Sequence, residues 1–145
     1  MEQHEEAKSR LQRLVGTTME ALCVSGWYGL EFSSGLTLTM WSPAVRLPAG
    51  VAGDVQFGPY WTGERLEVGD LVVKLSTCLR ECVSAVAIHA DGTLVLSFAN
   101  ETELVCRVGD PEVDWYWSIA EGWQSPHLGF WVACFDVGVV EVHRP

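Results

Sequence analysis

The feature that most limits how this chain can fold is a helix-then-hairpin pattern that occurs twice. Near the start, Ala7, Leu11, Leu14 and Val15 recur at i, i+4, i+7 and i+8, the spacing of one buried helical face, with Lys8, Arg10 and Arg13 outside it. Gly16 is placed to stop that helix. Residues 19–24 then read as a strand, Ser25-Gly26 as a turn, and 28–33 as a returning strand with Leu30 and Phe32 on one face. A third strand follows at 36–40, with Thr37 and Thr39 facing away from Leu36, Leu38 and Met40. After Gly69 the order repeats. Leu71, Val72, Leu75, Cys78 and Leu79 restate the helical face, with Asp70 placed to cap its first turn. Strands follow at 83–88, 94–98 and 103–108, separated by turns at 90–92 and at Asn100-Glu101. Residues 7–24 match 71–88 at an offset of 64, and Leu30, Phe32, Leu38 and Met40 match Leu96, Phe98, Leu104 and Cys106 at an offset of 66. The extra two residues fall in the first turn, so the spacing predicts an internal duplication over 7–40 and 71–106.

The rest does not repeat. Residues 42–69 are rich in proline and glycine with no sustained period, which predicts a long loop carrying short strands around Val55–Phe57. Between 113 and 142, Trp115–Ile119 and Phe130–Phe135 alternate as strands, and Val139–Val142 can close the sheet. The fold class expected is α+β: one domain over 1–145, with a strand-rich antiparallel sheet or partly closed barrel and two helices. A hydrophobic share of 48% with 19% charged residues suits a globular core.

Composition also narrows the surroundings. The acidic start, Met1 to Glu6, is not followed by an apolar segment, which argues against a secretion signal. The most apolar stretch, Gly129–Phe135, is too short to span a bilayer and runs straight into Asp136, so no membrane association is expected. Five cysteines, an odd number without regular spacing, read as reduced thiols on apolar faces in a cytoplasm, and Asn100-Glu101-Thr102 as a turn rather than a glycosylation site. The net charge of −10 repels phosphate backbones, which disfavours nucleic acid; it suits either a basic protein as partner or simply the solubility of a tryptophan-rich chain.

The order of these pieces over roughly 14–143 resembles a family of small bacterial proteins, mainly actinobacterial, known only as a domain of unknown function. The resemblance is carried by Leu30-Glu-Phe-Ser-Ser-Gly35-Leu36, Asp91-Gly92-Thr-Leu-Val-Leu-Ser-Phe98, Gly109-Asp-Pro-Glu-Val-Asp-Trp-Tyr-Trp117 and the ending from Val132 to Val142. The chain departs from the family's pattern at Asn100-Glu101, where an Asp-Gly turn is usual, and at Asp136-Val-Gly138, where a Gly-Gly pair is usual. What the resemblance implies is a general likeness to small proteins that neutralise bacterial toxins.

No residue set specifies a reaction. Cys78 and Cys82 would share a face of a continuous helix, but neither His89, His127 nor Cys134 supplies the second close pair that a structural zinc site uses, so no metal is expected and the thiols read as inert and buried. His127, in the loop 124–128, has no nucleophile signature beside it. Asp110, Glu112 and Asp114 lack a calcium-loop spacing and read as a solvated acidic turn. No phosphate-binding or dinucleotide fingerprint occurs, so catalytic residues and cofactors are expected to be none. Seven tryptophans are the unusual element. Trp115, Trp117 and Trp131 fall in strands and read as core, whereas Trp61 and Trp123 fall in loops and read either as anchors of those loops to the core or as binding residues. The expectation is a non-enzymatic protein-binding domain that meets a basic partner such as a toxin through Trp61, Trp123, Asp110, Glu112 and Asp114. The alternative is a small-molecule binder with a pocket between the sheet and the 42–69 loop.

Overall fold

The protein is an α+β structure in the computed structural model, which describes residues 2–48, 58–123 and 129–143. Helix α1 (Glu2–Leu11) tightens into a 3-10 turn at Gln12–Leu14, and Ala7, Leu11 and Leu14 are buried on one face as their period requires. Val15, read with that face, is instead exposed: its extended backbone (φ −64°, ψ 129°) has already left the helix.

The first three strands are β1 (Met19–Val24), β2 (Tyr28–Phe32) and β3 (Leu36–Met40). After them come β4 (Pro43–Arg46), helix α2 (Gly63–Ser76), β5 (Val83–Ile88), β6 (Leu94–Phe98) and β7 (Glu103–Cys106). The C-terminal strands are β8 (Trp117–Glu121), β9 (Phe130–Asp136) and β10 (Val139–Val142). They form a six-stranded sheet in the order β1-β2-β3-β8-β9-β10 and a four-stranded sheet in the order β4-β7-β6-β5, antiparallel throughout.

The sheets do not close into a barrel, contrary to one form of the expected fold. Outside the ladders, one antiparallel bridge, Thr18 with Cys82, links the starts of β1 and β5, which then part into different sheets. Leu30, Leu38, Ile119 and Val132 from the larger sheet share a core with Leu94, Leu96 and Leu104 from the smaller. Each such fully buried side chain contributes roughly 1.5–3 kcal/mol. Across that core Cys106 Sγ lies 3.5 Å from Met40 Sδ, and Trp117 Nε1 donates to the Gly92 carbonyl at 2.8 Å.

Helix α1 and the 3-10 turn that ends it fasten both edges on one side. The Val142 N–H donates to Gln3 Oε1 at 3.1 Å on the β10 edge, and Gln12 Nε2 donates to the Val86 carbonyl at 3.5 Å on the β5 edge. Helix α2 lies against β4 and sends Leu75 into the core, joined there by Cys78 from the turn that follows it. No helix among the described residues is long and apolar enough to cross a membrane.

The segment read as a loop over 42–69 is partly regular. Pro43 opens β4, an edge strand whose first residue needs no ladder N–H. Helix α2 begins at Gly63, seven residues before the expected cap Asp70, because Glu64–Glu67 are good helix formers and Gly69 is carried inside at a cost of about 1 kcal/mol. Asp70 is therefore not a cap; its carboxylate pairs with Lys74 at 2.9 Å one turn on. The short strand expected around Val55–Phe57 and the loop holding His127 lie outside the described residues.

Two runs of helix and three strands keep the same registers. Met19 faces Phe32 and Leu22 faces Leu30 in β1–β2, as Val83 faces Phe98 and Val86 faces Leu96 in β5–β6, with a register shift after the first pair in both ladders. Leu30 opposite Leu38 corresponds to Leu96 opposite Leu104. The strand after each run then crosses to the other: β4 pairs with β7, and β8 pairs with β3.

Candidate interaction surface

The outward face of the six-stranded sheet has a floor of small side chains. Register sets Cys23, Gly29, Thr39, Ser118, Ala133 and Glu141 side by side across all six strands. Alternation turns this row away from the core, since Leu30, Leu38, Ile119 and Val132 face inward.

Trp123 reaches this floor by a sharp return at the end of β8. Gly122, at φ 72°, reverses the chain, its N–H donates to the Gly35 carbonyl at 3.0 Å, and its own carbonyl takes a 2.6 Å bond from the Thr37 hydroxyl. The reversal lays the Trp123 ring over Gly29, where it stacks on Trp27 with centroids 6.1 Å apart and planes 29° apart. Only glycine fits beneath: a Cβ at position 29 would stand 2.6 Å from Trp123 Cζ3 and 2.8 Å from Trp27 Cζ3. Trp123 nonetheless keeps 46% of its surface exposed. Thr37 and Thr39 do face away from the core, yet both are buried. Ser118, 2% exposed, has no hydrogen-bond partner for its hydroxyl among the described residues.

Each residue expected at the site can now be placed. Asp110, Glu112 and Asp114 lie in the connection from β7 to β8, where Asp110 Oδ1 accepts the Glu112 N–H at 3.0 Å. Glu112 and Asp114 are exposed, and none of the three forms an ion pair among the described residues. This segment leads into Trp115, which lies buried against Trp41 at 5.4 Å; β8 itself starts only at Trp117, later than the strand expected at 115. The acids and Trp123 thus flank β8 at its two ends.

Trp61 belongs elsewhere. It meets Tyr60 edge-on at 6.2 Å just before α2, and Arg65 lies 3.7 Å over the Tyr60 ring. With Thr62, Glu64, Arg65 and Val68 it lines an open hollow of about 520 Å3. Burial, followed by the nearby carboxylates of Glu64 and Glu67, raises the Tyr28 phenol pKa above its usual 10.0.

The thiols divide. Cys78 and Cys82 do not share a helical face, because α2 ends at Ser76, Cys78 enters the core and Cys82 sits in the bridge to Thr18. Burial pushes Cys78 to about 11 and Cys134 to about 12, and pushes Cys106 up as well. Cys23 is exposed and Cys82 half-buried, so the expectation of five thiols on apolar faces holds for only three. All five are free. Trp131, expected in the core, is half-buried under the guanidinium groups of Arg10 and Arg13, 5.6 and 4.8 Å from its ring centroid.

Sequence reasoning passed over Trp27 and Gly29. A glycine inside an apolar strand pattern is itself a sign of close approach by another group, and Gly29 carries that sign.

The class these features define is a two-sheet α+β domain with a stacked tryptophan pair, Trp123 exposed and Trp27 half-buried, on an outer sheet face. No protein-family model, curated protein or solved structure matches the chain.

Proposed function

We propose that this chain is a non-enzymatic protein-binding domain of the toxin-neutralising kind, presenting an acidic, tryptophan-bearing surface to a basic partner in the cytoplasm. The observation that carries the reading is Trp123, held on Gly29 by a fastened turn while nearly half its surface stays in water. Fixing a large exposed ring costs solubility and rewards only an encounter, and rigid tryptophans are the residues on which binding energy concentrates. Residues 101–145 hold eight acids against Arg107 and Arg144, a field that speeds approach of a basic surface. Five free cysteines, one of them exposed, suit a reducing compartment.

The test is association kinetics with a basic toxin as partner. Trp123→Ala should speed dissociation, costing about 2 kcal/mol, while neutralising Asp110, Glu112 and Asp114 together should slow association and flatten its salt dependence. Kinetics indifferent to both changes would sink the proposal.

The duplicated unit belongs to the same reading: the domain is two copies of one helix-and-three-strand unit about an approximate two-fold axis through the Thr18–Cys82 bridge. Hydrogen bonds around the bridge come in reciprocal pairs, which supports this. Met19 N–H to the Glu81 carbonyl (3.1 Å) answers Val83 N–H to the Thr17 carbonyl (2.8 Å), and Gly16 N–H to Val83 (2.8 Å) answers Arg80 N–H to Met19 (2.7 Å). The left-handed residues correspond too, Gly16 with Arg80 and Gly35 with Glu101.

A further inference from the structure

We propose that the Trp27–Trp123 pair is the seat for an arginine side chain of the partner, with the guanidinium stacked on the indoles and forked onto the Glu31 carboxylate. This rests on the reading of the chain as a binding domain for a basic protein and names the group it grips.

The molecule shows the chemistry on its own rings. Arg10 and Arg13 lie over Trp131, and Arg65 lies over Tyr60. Among the described residues no lysine or arginine lies over Trp27 or Trp123. Of the other described cations, Lys8 pairs with Glu5, Lys74 with Asp70 and Arg46 with Glu103, Arg107 donates to the Ser42 carbonyl, and Arg80 lines a separate surface hollow with Thr18 and Glu20. The pair, Trp123 exposed and Trp27 half-buried, is open to a cation from outside.

Glu31 supplies the opposite charge. It stands two residues along β2 from Gly29 and so on the same outward face, with Ala21 and Thr37 as its cross-strand neighbours. Neither neighbour carries a charge, and Glu31 has no ion-pair partner among the described residues. A flat aromatic surface with a carboxylate one strand step away matches a planar guanidinium, which stacks and forks at once, better than a compact, strongly hydrated ammonium.

The experiment follows the seven indole N–H signals of the full-length, 15N-labelled protein by NMR, with those of Trp27 and Trp123 assigned through Trp→Phe variants. The probes are acetylated, amidated tetrapeptides of arginine, lysine and citrulline at physiological salt. The arginine peptide should shift the Trp27 and Trp123 signals saturably, the lysine peptide should bind several-fold more weakly, and citrulline should do nothing. Glu31→Gln should weaken the arginine peptide roughly tenfold. Glu5→Gln, which removes the same charge on α1, should change it less than about twofold. Gly29→Val should abolish the response; Glu31→Gln keeps the question open to test if that variant folds poorly. Equal binding of the arginine and lysine peptides, or equal effects of Glu31→Gln and Glu5→Gln, would overturn the arginine seat. Shifts confined to Trp115, beside the acidic segment 110–114, would overturn the seat and leave the wider binding reading standing. No shift at any indole would overturn the seat, and with unaltered toxin kinetics in Trp123→Ala and the acid variants both readings fall.

Discussion

Gly29 on β2 and Val95 on β6 occupy the same place in their ladders. Gly29 lies between Cys23 and Thr39, and Val95 between Ala87 and Val105. Over the first, two tryptophans lie on the backbone; the second row is aliphatic, and its valine fills the space a ring would need. The hairpin turns behind these residues differ in the opposite sense. Nothing lies within 4 Å of where a Cβ would stand at Gly26, whereas a Cβ at Gly92 would be 2.6 Å from Cys134 Sγ. Two ladders of matching register thus carry two allocations: the β5–β6 turn packs on the core, and the β1–β2 turn stays free with its sheet face open to aromatic rings. Shared registers set the backbone, and single side chains decide which face serves stability and which serves contact.

The largest effect should come from the turn glycines. Gly92→Ala adds left-handed strain at φ 96° to an overlap with a buried sulfur, and should lower the unfolding free energy by about 3 kcal/mol. Gly26→Ala, at φ 73° in open space, should cost about 1 kcal/mol. Urea midpoints of the two variants measure the difference directly. Equal losses would mean that the second turn is not anchored in the core and that the contrast between the units is false.

Next comes the outer face itself. Gly29→Val gives the first unit the side chain of the second and should displace both rings, costing about 1–3 kcal/mol and moving the Trp27 and Trp123 indole signals together. Val95→Gly should cost about 1 kcal/mol through lost packing and backbone entropy, and should move neither signal. If Gly29→Val leaves the two signals where they were, the glycine is not what admits the rings.

How much of this could be read from sequence follows from how local each determinant is. The helical face of Ala7, Leu11 and Leu14 and the strand alternations are set by neighbours a few residues apart, and they reappear in the core and in the registers. Gly69 and Asp70 look like a boundary in sequence, yet the helix formers before them, the burial of Gly69 and the Asp70–Lys74 pair carry α2 through that stretch. Trp123 was legible as a loop tryptophan, but its floor was not. Gly29 lies far away in the chain and meets it only because Thr37 fastens the turn at Gly122. The buried state of Thr37 and Thr39 was hidden for a related reason, since alternation gives the face a side chain points to and not what folds back over it.

A smaller effect separates the units at their second turns. Gly35 and Glu101 both adopt left-handed backbone, at φ 86° and 70°, so the second unit holds a strained glutamate where the first holds glycine. Glu101→Gly should therefore stabilise the protein by about 0.5–1 kcal/mol, the strain relieved less the entropy glycine adds to the unfolded chain. A loss of stability on this change would show that Glu101 makes a compensating contact and that the two turns are not equivalent.

The smallest effect on stability should carry the most local information about the exposed face. Cys23 is Gly29's direct cross-strand partner and is exposed, while its counterpart across from Val95 is Ala87. At pH 8 the thiols of Cys78 and Cys134, raised to about 11 and about 12, stay protonated, as does buried Cys106, so iodoacetamide should modify Cys23 first and half-buried Cys82 more slowly. A carbamidomethyl group on Cys23 extends over the floor beside Gly29. It should shift the Trp27 and Trp123 indole signals while changing the unfolding free energy by less than about 0.5 kcal/mol, as surface changes do. The same group introduced on the other sheet, through Ala87→Cys in a Cys23→Ser background, should leave both signals unmoved, because it would lie on the aliphatic row of Val95 and Val105 and not on the row of Gly29. Mass spectrometry after short labelling gives the order of modification, and the indole spectrum gives its reach. If labelled Cys23 leaves the pair undisturbed, the open face stops at β2, and the contrast between the units narrows from a whole row to the single exchange of Gly29 for Val95.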